Sequence, residues 1–278
     1  YNMVDALVVG NFVGESALAA VTSTGSLIFL IVGFFGGVYG GVGVVIARYF
    51  GAGDDQQVRR AVGTAVLGTI LSGLFLTAVG VFGSPALLRL MDTPTDVLPN
   101  SIAYFRTYFM GVLAVFLYNI CTGILQNVGD SRHPLYYLIL AACINMGLDM
   151  LFVAGFGWGV GAAAVATTIS QGVSVTLCLT RLLRVDAPYR LHIRQIRFHK
   201  QSMLDILRYG LPSGVQNSVI ALANVVVQSN INSFGKTAVA GCGSYSRLEG
   251  FAFLPITCFT QALATFVGQN LGAKKYDR

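Results

Sequence analysis

The chain is written in long apolar blocks divided by short polar breaks, with neither the strict alternation of a half-buried strand nor the mixed surface of a soluble helix. Blocks of spanning length, which for a helix is about 20 residues, run roughly over Leu18–Ala47, Ala61–Gly83, Ile102–Leu125, Leu135–Gly155, Val160–Leu183, Ile206–Asn230 and Ala238–Val267. A further, partial block covers Tyr1–Val13 and opens on Tyr1 rather than on Met. The pattern predicts an all-α polytopic membrane protein, and we read it as a fragment whose first helix lacks its beginning.

Composition supports this reading. Of the 278 residues 54% are hydrophobic and 11% charged, with mean hydropathy +0.67, against about 25% charged in soluble domains. The cations sort by side. One set of breaks holds Arg48, Arg59, Arg60, Arg132, Arg181, Arg184, Arg190, Arg194, Arg197, Lys200, Arg208, Lys274, Lys275 and Arg278, while the alternate set holds only Arg89, Arg106 and Lys236. The positive-inside rule assigns the basic breaks to the cytoplasm and makes the chain a multi-pass membrane protein. The net charge of +6 is thereby explained without a nucleic-acid partner. Residues 185–203 form the one long polar stretch and are expected to join an amino-terminal lobe at 1–184 to the start of a second lobe at 204–278.

An internal repeat agrees with that division. Asn11-Phe12-Val13-Gly14 returns as Asn232-Ser233-Phe234-Gly235, Ile46-Ala47 as Val267-Gly268, and Phe50-Gly51-Ala52 as Leu271-Gly272-Ala273, always 221 positions later. Six spans separate equivalent points, so both halves share one orientation, as in parallel transporter repeats. The second half stops after two spans, and the symmetry predicts four more. Cys121, Cys143, Cys178, Cys242 and Cys258 show no metal-ligand spacing and are expected to be small buried hydrophobes. No nucleophile motif, Walker motif or dinucleotide fingerprint is present, so the chain is not expected to be an enzyme.

Three acids fall within spans: Asp5, Asp149 and Glu249. Asn145 precedes Asp149 by one helical turn, so the two share a face, and an ionisable group inside a span marks a functional site by default. Asp5 and Asp149 come to similar depths on different helices. In a low-dielectric cavity such carboxyls hold protons more tightly; ionised, with Asn145, they offer oxygen ligands to a small cation. The coupling ion is H+ or Na+, and any metal is Na+ at Asp5, Asn145 and Asp149. Glu249 serves either a structural pair or a substrate contact. Gly33, Gly37 and Gly41, with Gly36 and Gly40 beside them, predict close helix packing, and Pro255 predicts a kink. Phe34, Phe35, Tyr39 and Phe251 are candidate aromatic lining of a cleft.

The segments Val4-Asp5-Ala6-Leu7, Gly51-Ala52-Gly53, Gly123-Ile124-Leu125-Gln126-Asn127-Val128-Gly129-Asp130, Asn145 with Asp149, Gly210-Leu211-Pro212 and Arg247-Leu248-Glu249-Gly250-Phe251 together resemble the multidrug and toxic compound extrusion (MATE) transporters. The resemblance implies a two-lobe helical bundle of twelve transmembrane helices, of which about eight are present here. It implies a secondary antiporter that exports organic cations, drugs and other amphipathic xenobiotics in exchange for H+ or Na+, as a monomer in membrane lipid and without a cofactor. Its cation or proton site would fall on Asp5, Asn145 and Asp149; Tyr118, Asn119, Gln216 and Glu249 are further candidates for lining the site or the substrate path. Some members carry an acid in the seventh helix, where this chain has only neutral Gln216, Asn217, Asn224 and Gln228, which favours coupling through the amino-terminal lobe. The alternative is a flippase of related architecture for a lipid-linked oligosaccharide or peptidoglycan precursor, whose pyrophosphate would call for more cations in the cleft than Arg247.

Overall fold

A computed structural model describes residues 15–90, 98–155, 161–193, 196–234 and 236–277. Among these, seven α-helices follow one another: α1 (Glu15–Gly51), α2 (Asp55–Leu90), α3 (Leu98–Asn127), α4 (Arg132–Asp149), α5 (Gly161–Arg184), α6 (Lys200–Ser233) and α7 (Lys236–Gly272). A π-helical segment, Met150–Gly155, continues α4. The partial block at Tyr1–Val13, and Asp5 with it, lies outside the described residues.

Among the described residues, six segments are long and apolar enough to cross a membrane: Leu30–Gly51, Asp55–Arg89, Ser101–Asn127, Arg132–Phe152, Lys200–Gln228 and Glu249–Gly272. Helix α5 forms where a span was expected, and Thr167, Thr168, Ser170, Gln171 and Ser174 interrupt its apolar sequence. Four of these polar residues, at 167, 170, 171 and 174, follow helical spacing and therefore share a face. Ser170, Gln171 and Ser174 are buried against the neighbouring helices. The helix thus turns its polar stripe inward.

The apolar core has two clusters. One, built on Val45, Ile46, Val58, Val62, Ile120, Ile124, Leu125, Cys178 and Leu182, ties α1, α2, α3 and α5 together at the basic end. The other stacks Phe105, Phe109 and Phe116 of α3 on Leu76 and Leu88 of α2, with Phe35 of α1 against Phe116 at 5.2 Å between ring centroids. The connection before α6 is docked on α2 through Thr64, whose hydroxyl donates to the Arg197 carbonyl at 3.3 Å and accepts the His199 N–H at 3.3 Å.

The glycine-rich stretch of α1 divides its work. Gly37 and Gly41 lie so close to Gly214 and Gly210 of α6 that a Cβ on either would meet backbone, which is how small residues let two helices approach. Gly36 and Gly40 face the other way and line a cavity. The Gly33 carbonyl accepts a bond from the Asn217 amide at 3.1 Å. Helix α7 runs unbroken through Pro255, so the proline does not end the helix. The cysteine expectation holds in part: Cys121 and Cys178 are buried, Cys242 is half-buried, and Cys143 and Cys258 are exposed on α4 and α7.

Candidate functional site

Asn145 and Asp149 stand one turn apart on α4 with relative exposures of 1% and 0%, facing the polar stripe of α5. The Asn145 amide donates to the Thr167 hydroxyl at 3.4 Å, and the Ser170 hydroxyl donates to the Thr167 carbonyl at 2.9 Å. Asn145 Oδ1 and Gln171 Oε1 are buried with no hydrogen-bond partner among the described residues. An amide oxygen deprived of both water and donor costs about 1–3 kcal/mol, so it identifies a place where a hydrogen-bond donor or a cation would be welcome. The π-helical turn begins at Met150, the residue after Asp149. Such turns recur at functional sites, and widened helix ends offer carbonyl oxygens as well as side chains. The result is a set of buried oxygen atoms at the α4–α5 contact, one carboxylate among them, of the kind that suits a proton or a small hard cation.

The other candidates spread out. Asn119 lines a cavity of about 710 Å³ between α1, α3 and α7, together with Tyr39, Phe116, Gln126, Asn127, Gln261, Thr265, Phe266 and Gln269. Tyr118 packs beside the basic-end core instead. Gln216 is exposed on α6 and outside that cavity, since the neighbouring Gly214 is what faces α1. Glu249 is half-buried on α7 and also outside it. Of the expected aromatic lining only Tyr39 is in place. Phe34 and Phe35 turn toward α6 and α3, and Phe251 is 71% exposed. Sequence reasoning missed Thr167 and Gln171, although the polar stripe of α5 carried the signal. It missed Phe116 and Phe266 as well, which resemble any other apolar residue of a span.

Long helices spanning a membrane, a buried carboxylate held between two of them and a separate cleft of mixed apolar and amide lining define a polytopic membrane transporter. The MatE family model matches residues 1–151 and 212–278, and the chain belongs to this family, the multidrug and toxic compound extrusion transporters. It is 30% identical over 283 residues to a probable multidrug resistance protein, YoeA, of Bacillus subtilis, a match covering 99% of this chain and 61% of the relative. It is 28% identical over 272 residues to an FAD transporter of Shewanella oneidensis, covering 95% of this chain and 60% of that protein. A solved outward-facing multidrug resistance MATE transporter superposes with TM-score 0.89 at 26% identity, covering 98% of this chain and 61% of that one. The chain therefore spans about three fifths of the relatives it matches.

Proposed function

We propose that the full-length protein is a secondary antiporter that exports amphipathic organic cations across the plasma membrane in exchange for H+ or Na+, with the basic ends of its helices in the cytoplasm. The observation that supports this best is the buried Asn145–Asp149 pair with its unpartnered amide oxygen. A carboxylate in so dry a place holds a proton or draws a cation more strongly than one in water, and an ion that arrives down its gradient neutralises it in one orientation of the transporter and leaves in the other. Asp149, Asn145 and Thr167 hold the ion. Asp5, in the partial apolar block that precedes α1 in the sequence, supplies a second carboxylate to the same site. The cleft between residues 1–184 and 204–278 receives the substrate on Tyr39, Phe116 and the amides around them, and the protein works as a monomer. Because one relative is an FAD transporter, the amide-rich lining also suits substrates larger and more polar than simple drugs.

Vesicles carrying the purified full-length protein, with sodium and proton gradients imposed separately, test this directly. Wild type should drive dye efflux on one of the two gradients, and Asp149→Asn should abolish gradient-driven efflux while leaving dye binding intact. Efflux by Asp149→Asn at the wild-type rate would contradict the assignment.

A further inference from the structure

The two copies of the internal repeat meet at the basic end, and they meet reciprocally. Helix α1 ends with Ala52 N–H bonding to Arg48 O, Gly53 N–H to Phe50 O and Asp54 N–H to Tyr49 O. Helix α7 ends with Ala273 N–H on Gln269 O, Lys274 N–H on Leu271 O and Lys275 N–H on Asn270 O. Each bond of the second set lies 221 positions after its counterpart. Across the contact, Gly51 is pressed on the Gln269 backbone and Gly272 on the Arg48 backbone, which is the same pair of positions exchanged. Ala47 and Gly268, also equivalent, face one another, with 3.0 Å between the Ala47 Cβ and the place a Gly268 Cβ would take. A pseudo-two-fold axis therefore passes between Ala47 and Gly268.

The side chains break this symmetry. Arg48 turns to the Tyr209 hydroxyl of α6, at 3.4 Å. Gln269 turns to the end of α3, where its amide donates to the Asn127 carbonyl at 2.9 Å, and the Thr265 hydroxyl donates to Asn127 Oδ1 at 3.1 Å. Asn127 is the last residue of α3. The carbonyls of Ile124, Leu125 and Gln126 are taken up by Val128, Asp130 and Gly129 in the helix's own cap, so the Asn127 carbonyl is one that a helix end leaves for an outside donor. The donor comes from the other repeat. Gly43 leaves room for this, since a Cβ there would collide with the Asn127 amide. Asn127, Thr265 and Gln269 also line the cavity.

We propose that Asn127, Thr265 and Gln269 form a latch that seals the basic end of the cleft, and that the latch must part for the cleft to open on that side. It deepens the alternating-access reading and rests on it, but it is read out by accessibility rather than by transport. Gln269 is a positioning residue: it touches neither Asn145 nor Asp149, and its task is to present an N–H to a helix C-terminus. Glutamate has the same shape without the donor and sets a negative charge against the negative end of α3, whereas lysine keeps a donor and adds a charge that end favours.

The test uses the full-length protein at pH 8 with Cys258, which is exposed and lines the cleft, as its only cysteine, in oriented vesicles without any gradient. A membrane-impermeant maleimide applied from the basic side should label wild type and Gln269→Lys slowly. It should label Gln269→Glu about tenfold faster, the population change that one lost hydrogen bond produces. Asn127→Leu should resemble Gln269→Glu. Wild type that labels quickly from the basic side, Gln269→Glu that labels like wild type, or Gln269→Lys that labels like Gln269→Glu would each overturn the latch. Repeating the labelling on an Asp149→Asn background separates the two proposals, because the latch predicts the same contrast there whether or not Asp149 carries the coupling ion.

Discussion

Asn145 and Asp149 were legible as a pair because two polar residues one turn apart in an apolar run have few innocent explanations. Thr167 was not, since a threonine inside a helix usually satisfies its hydroxyl on its own backbone and its partner on α4 gives it another use. Thr167→Ala should raise the ion concentration needed for half-maximal efflux about tenfold, within the range of lost supporting contacts at ion sites, with little change in maximal rate; an ion titration of efflux checks both. Helix ends give a second residue-scale prediction. Lys274 adopts φ 56° where its repeat counterpart Gly53 adopts φ 69°. A side chain in that region costs about 1–2 kcal/mol, so Lys274→Gly should raise the thermal midpoint and Gly53→Ala should lower it. Asp130, beyond the end of α3, titrates below the ordinary carboxylate range. Partial burial pushes it up, but the His133 ring at 2.8 Å, the His133 backbone N–H and Arg181 at 3.6 Å together outweigh that. A depressed folded-state value means that the stabilisation is complete above the unfolded-state value and is lost as pH falls through the folded one. The gap in melting temperature between wild type and Asp130→Asn should accordingly be small at neutral pH, where a half-exposed pair contributes about 0–1 kcal/mol, and vanish in acid.

At the scale of elements, the helices could be placed from apolar runs because a membrane span must satisfy its own backbone. What a span does with each face is a tertiary matter. Gly36 and Gly37 are neighbours in sequence, yet one opens on the cleft and the other is pressed on α6. Gly37→Val should therefore cost at least the 1–3 kcal/mol of ordinary overpacking and lower the melting temperature in detergent. Gly36→Val should leave folding unchanged and reduce the space for substrate, seen as altered export among dyes of different size. The π-helical turn after Asp149 was invisible in the sequence for a similar reason, because nothing in Met150–Gly155 differs in kind from the apolar residues of neighbouring spans. The mixed fate of the five cysteines follows too, since burial is decided by which helices stand alongside and not by the residue itself.

For the whole molecule, the repeat proved the most informative long-range signal. A constant offset in sequence became matching caps and a reciprocal crossing of α1 with α7, and that crossing joins the two copies of the repeat at the end where the basic residues gather. Long apolar faces of α6 and α7, carrying Val219, Val226, Phe253 and Phe259, are exposed, and in the relatives two fifths of the chain lies beyond the matched part. The central claim is that one buried carboxyl changes its charge state as the transporter turns over. Difference infrared spectroscopy of the full-length protein, titrated with pH and with sodium, tests it most directly. The account predicts a protonated-carboxyl band that disappears on deprotonation or on sodium binding and is missing from Asp149→Asn; spectra of Asp149→Asn that match wild type across the whole range of pH and sodium would contradict it.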